Sequence, residues 1–169
     1  MTYRHRLFPT AVALILGTFA CAFTGCAPSN TDHPTEPMAH EIAVTDQWAI
    51  AADAGMSSVF GLLTNAGRRD ARIVSGSSPS AGRVEIHEVV GDAVEGKTMR
   101  PKEGGLVIPA GGSHELAPGG DHVMLMDLEH PLAPGTDVPV TLVFEDGSTL
   151  PVTAQVRDFA GGDEEYHHG

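Results

Sequence analysis

Twenty glycines and twelve prolines are spread through 169 residues, and they leave no uninterrupted stretch with helical periodicity. Between them lie short runs that alternate apolar and polar residues, each closed by a turn signal. The alternation predicts strands at about 41–50, 57–64, 71–75, 83–90, 98–100, 106–108, 113–116, 122–128, 138–144 and 150–157. Asn65-Ala66-Gly67 and Gly76-Ser77-Ser78-Pro79 mark turns, and Asp146-Gly147 marks a hairpin between the last two runs. Many short strands with no helix imply an all-β fold, a Greek-key sandwich or small barrel. No internal repeat is visible.

The first 25 residues read as a processing signal. Arg4, His5 and Arg6 form a basic start, residues 7–23 are uncharged and largely apolar, and small residues lead to Cys26. A cysteine after Phe23-Thr24-Gly25 has the form of a bacterial lipobox, with Cys26 as the lipidated mature terminus and Phe23 where leucine is usual. The expected location is the outer face of a bacterial cytoplasmic membrane, anchored by lipid. Ordinary cleavage would instead give a soluble secreted or periplasmic protein. Residues 26–40 carry Pro28, Pro34 and Pro37 among polar residues and read as a flexible tether. Residues 41–159 are one domain by length. Residues 160–169 are a short acidic tail ending in His167-His168-Gly169 and are expected to be disordered.

Charge and cysteine usage exclude several classes. Losing Arg4 and Arg6 takes the formal net charge from -12 to -14, which disfavours nucleic acid as a partner. Cys21 falls in the signal and Cys26 at the lipidation point, so the mature domain offers no disulfide, thiolate metal site or thiol nucleophile. No nucleophile elbow and no H-E-x-x-H motif occurs, so the chain is not expected to be an enzyme.

The unusual strand is His122-Val123-Met124-Leu125-Met126. Alternation puts His122, Met124 and Met126 on one face, with Val123 and Leu125 on the other. Thioether sulfur and imidazole nitrogen together suit Cu(I) better than Zn(II), Ca(II) or Mg(II). Core filling by methionine is the bland alternative. Upstream lie His87, on a strand with Glu85 and Val89 on its own face, and Met99. Trp48 is expected in the core. His114 reads as a surface histidine, His130 as part of a turn, and His33, Met38 and His40 as solvated tether residues.

The order His87, Met99, His122, Met124 has the spacing His-x11-Met-x22-His-x-Met. With Glu85-Ile86-His87-Glu88, Met99-Arg100-Pro101 and the glycine turns 109–112 and 118–120, it resembles the periplasmic PCu(A)C-type copper chaperones over roughly 41–158. Two departures stand out. Glu88 occupies a position where the family often has methionine, and the interval from Met99 to His122 is one residue longer than usual. The loop 102–105 can absorb that residue without changing strand facing.

The resemblance implies a cupredoxin-like Greek-key β-sandwich that binds one Cu(I) through His87, Met99, His122 and Met124. It also implies delivery of copper to the CuA centre of cytochrome c oxidase, in its subunit II, or to a thiol-bearing copper assembly factor. Met126 is an auxiliary donor candidate, and His167 and His168 are candidates for Cu(II) at the tail. The domain is expected to act as a monomer. The competing reading is a secreted structural or adhesive β-sandwich module without a metal role.

Overall fold

The structure, a computed structural model, describes residues 36–91, 96–159 and the backbone of 165–166. Cys26, His33, His167 and His168, together with the expected signal and most of the expected tether and tail, lie outside the described residues. Eleven strands follow a short 3-10 helix (Met38–Glu41): β1 (Ile42–Ile50), β2 (Met56–Asn65), β3 (Ala71–Ser77), β4 (Ala81–Val90), β5 (Thr98–Pro101), β6 (Leu106–Ile108), β7 (Ser113–Leu116), β8 (His122–Leu128), β9 (Asp137–Phe144), β10 (Thr149–Arg157) and β11 (Glu165–Tyr166). The all-β expectation holds, and each of the ten anticipated strands forms near its expected place.

Pairing runs β4-β8-β2-β1-β10-β9-β3, and a Gly76–Val84 bridge returns β3 to β4. The sandwich is thereby closed into a ring of seven strands. Only β1 and β10 run parallel within that ring. This follows from closure, because each antiparallel step reverses direction and an odd ring must contain a parallel step. Strands β5, β6 and β7 branch from β4, β3 and β2.

The interior holds Leu63, Ile73, Ile86, Leu125, Val138 and Phe144, all buried, and the alternating positions of each strand supply it. Full burial of a side chain such as Leu125 contributes roughly 1.5–3 kcal/mol. Strand β8 is buried on both faces from His122 to Met126. Val123 and Leu125 join the core, while Met124 and Met126 are equally buried but lie outside that cluster. The outer face of β8, where the candidate site lies, is therefore shielded from solvent as well.

Three local features depart from expectation. Residues 38–40, at the end of the expected tether, form the 3-10 turn, with Ala39 buried and the Met38 amide donating to Asp146 Oδ2 at 2.8 Å. Trp48 is only half-buried. A bulge between Thr45 and Trp48 shifts the β1 register, and Trp48 packs outside the core against the tilted rings of Phe60 and Phe159, with ring centroids at 4.7 and 5.3 Å. In the tail, the backbone of Glu165 and Tyr166 pairs in parallel with Thr98 and Met99 as β11, a short strand that the alternation did not signal.

Candidate metal centre

Strands β4, β8 and β2 lie side by side, and their register sets three cross-strand rows on the outer face. His87 stands opposite His122; Glu85 and Ser58 flank Met124; Arg83 and Met56 flank Met126. Directly opposed residues point to the same face, so alternation alone brings these side chains together. His87 and His122 are 0% and 1% exposed, and their ring centroids are 5.7 Å apart. Phe60 packs against the His122 ring at 6.1 Å.

His122 and Met124 line a cavity of about 240 Å3 together with Met99, which reaches it from β5. Met56, Phe60 and Phe159 complete much of the wall. Thus Met99, His122 and Met124 share one cavity, and His87 adjoins it through the His122 ring. Met126 has the same facing but does not line the cavity; it is buried between Met56 and Arg83 in the cross-strand row. Among the other histidines, His114 Nε2 pairs with Asp121 Oδ2 at 2.9 Å, His40 pairs with Glu36, and His130 is exposed in a bend.

Each buried donor has a polar support. The Gly120 carbonyl can only accept, so at 3.0 Å His122 Nδ1–H donates the hydrogen bond, and in a neutral ring Nε2 then carries the lone pair. His87 has the opposite arrangement. Its Nε2 meets Glu85 Oε2 at 2.8 Å. Arg83 holds Glu85 Oε1 at 2.9 Å and reaches Asp127 Oδ2 at 3.2 Å. Ser58 Oγ donates to Met124 Sδ at 3.4 Å. Glu85 and Ser58 were absent from the candidate set read from sequence. Glu85 was findable, since it sits two residues before His87 on the same strand face; Ser58 depends on the β2–β8 pairing, which carries no local signal.

A charged cluster borders the site. Lys102 Nζ lies 3.0 Å from Glu88 Oε2 and 3.1 Å from Asp121 Oδ1, and Arg100 also pairs with Glu88. The Lys102 and Arg100 bonds hold the Glu88 carboxyl below its usual range. Partial burial pulls the Lys102 ammonium down, but the Glu88 and Asp121 carboxylates outweigh it, and the net shift is upward. Glu88, which departs from the family pattern, is therefore engaged in a salt-bridge cluster. In the loop between β5 and β6, Gly104 and Gly105 have φ of 74° and 75°, a conformation glycine adopts without strain.

Comparisons with known proteins agree with this architecture. Residues 42–156 match the family model described as "Putative lipoprotein LpqE-like". The chain is 40% identical over 171 residues to "Putative lipoprotein Lxx21020" of Leifsonia xyli subsp. xyli (strain CTCB07), covering 98% of this chain and 99% of the relative. Among solved structures it is similar to CuI-DR1885 from Deinococcus radiodurans, at 32% identity and a TM-score of 0.51, over 69% of this chain and 80% of that one. The copper-bound PCuAC domain from PmoF2 shares the fold, with a TM-score of 0.58 at 24% identity, over 70% of this chain and 94% of that domain. The chain therefore belongs to the LpqE-like family and shares the fold of the PCuAC domains.

Proposed function

We propose that this protein is an extracytoplasmic Cu(I)-binding metallochaperone, anchored by lipid at Cys26, with His87, Met99, His122 and Met124 as its ligands. The observation that carries this reading is the meeting of Met99, His122 and Met124 at one cavity, with the His87 ring beside that of His122. Two thioethers and two neutral imidazoles are soft and borderline donors without charge, which favours a monovalent soft cation over Zn(II) or Mg(II). Thioethers have no proton to lose and form no disulfide, so they keep their donor character in an oxidising compartment. The copper-bound title of the PmoF2 domain and the CuI title of the Deinococcus structure support the same cargo. The lipoprotein name of the Leifsonia relative supports the anchor.

The role is metal transfer without turnover. Met99 is half-buried on a short branch strand, so a partner can approach the cargo from that side. The CuA centre of cytochrome c oxidase subunit II, or a thiol-bearing assembly factor, is the acceptor we favour, because a thiolate binds Cu(I) more strongly than a thioether and so draws the ion forward. The test is competition with a colorimetric Cu(I) chelator under reducing conditions, using the full chain and Met124→Leu. The substitution nearly conserves volume, so the variant should fold and bind Cu(I) far more weakly. Equal affinity in the two proteins would overturn the reading. So would an unchanged melting temperature of the wild type on adding Cu(I), since binding to the folded state must raise it.

A further inference from the structure

We propose that Glu85, held by Arg83, is a positioning residue that fixes the His87 imidazole as its Nε2–H tautomer and so presents Nδ1 as the ligating atom. This rests on the copper reading above for its ligand, but on the metal-free geometry for the tautomer. An ionised carboxylate has no proton to give, so at the 2.8 Å contact the imidazole must be the donor. Glu85 is itself restrained: Arg83 grips the other carboxylate oxygen at 2.9 Å and is tied in turn to Asp127 at 3.2 Å. The strand pleat contributes too. Residues 83, 85 and 87 share one face of β4, so the three side chains form a row along the strand. Glu85 also stands opposite Met124, which places the carboxylate next to a second candidate ligand.

The consequence is an asymmetric pair. His122 is fixed by a backbone carbonyl and offers Nε2, whereas His87 is fixed by a carboxylate and offers Nδ1. A carboxylate behind a ligating imidazole fixes ring orientation and raises ligand basicity, and its loss typically costs about 10–100-fold in metal affinity. Glu85 would therefore tune the strength of one arm of the site and leave the other unchanged.

The test uses the full chain, with Glu85→Ala and Glu85→Gln. Long-range proton–nitrogen NMR of the metal-free protein reports the tautomer of each histidine directly. In the wild type His87 should be the Nε2–H form and His122 the Nδ1–H form. Glu85→Ala should lose the His87 preference, keep that of His122, and weaken Cu(I) binding by about 10–100-fold. Glu85→Gln should restore the tautomer, because its carbonyl oxygen still accepts the bond. On adding Cu(I), the nitrogen shifts should move at His87 Nδ1 and His122 Nε2. An Nδ1–H tautomer at His87 in the wild type, or a Glu85→Ala protein with wild-type tautomer and affinity, would overturn the proposal. Because the tautomer is read without metal, it decides on Glu85 even if the wild type binds no copper, an outcome that would instead overturn the copper reading.

Discussion

His87 and His122 face each other across neighbouring antiparallel strands, both buried, with ring centroids 5.7 Å apart. Two buried imidazoles side by side are a poor choice for core packing, and both rings are anchored by hydrogen bonds to Glu85 and the Gly120 carbonyl. Replacing His122 by Phe keeps a ring against Phe60 but leaves the Gly120 carbonyl without its donor. The expected cost is about 1–3 kcal/mol of stability. The loss of Cu(I) affinity should exceed the about 100-fold typical of removing a supporting residue. Denaturant titration and chelator competition measure the two effects separately.

Adjacent positions of β8 should separate folding from binding. Leu125 faces the core and is fully buried, so Leu125→Ala should cost about 2–5 kcal/mol. The molecules that remain folded should bind Cu(I) as the wild type does. Met124, one residue earlier on the opposite face, should behave in reverse: Met124→Leu should cost less than about 1.5 kcal/mol yet sharply weaken binding. Paired melting and affinity measurements on the two variants check this division.

The 3-10 turn before β1 is fastened by Asp146, whose carboxylate accepts from the Met38 amide and from Ser148. The Met38 bond is the largest cause holding the Asp146 carboxyl below its ordinary value of 3.8, with Ser148 adding to it. A folded value below the unfolded one contributes stability that is fully present above pH about 4 and is lost as pH falls through the lower, folded value. Asp146→Ala should therefore remove less than about 1 kcal/mol at neutral pH. It should also flatten the acid limb of the stability curve. Thermal melts of both proteins between neutral and strongly acid pH read the difference.

Lys102 links Glu88 at the end of β4 to Asp121 at the start of β8. Lys102→Met removes the cation and leaves two carboxylates near each other at the border of the site. The expected loss is about 1 kcal/mol, larger at low than at high salt because the cluster is partly exposed. Urea midpoints at two salt concentrations test both the size and the salt dependence.

The strands were legible because each carries its own alternation and its own turn. The histidine and methionine row on β8 was legible for the same reason, since His122, Met124 and Met126 share parity within one short run. What pairs with what was not legible. The β4–β8 pairing and the parallel β1–β10 step join segments far apart in the chain, and no residue advertises its distant partner. Trp48 was misplaced because a bulge breaks the parity that puts it inside. Met126 has the facing of a ligand, yet only the position of the cavity separates it from Met124. Ser58, which supports Met124, is a plain serine until β2 is laid against β8.

Copper K-edge X-ray absorption on the full chain loaded with one equivalent of Cu(I) tests the central claim most directly. The account predicts mixed nitrogen and sulfur scattering, with the sulfur contribution reduced in Met99→Leu and again in Met124→Leu. A spectrum without sulfur, or one unchanged by both substitutions, would contradict it.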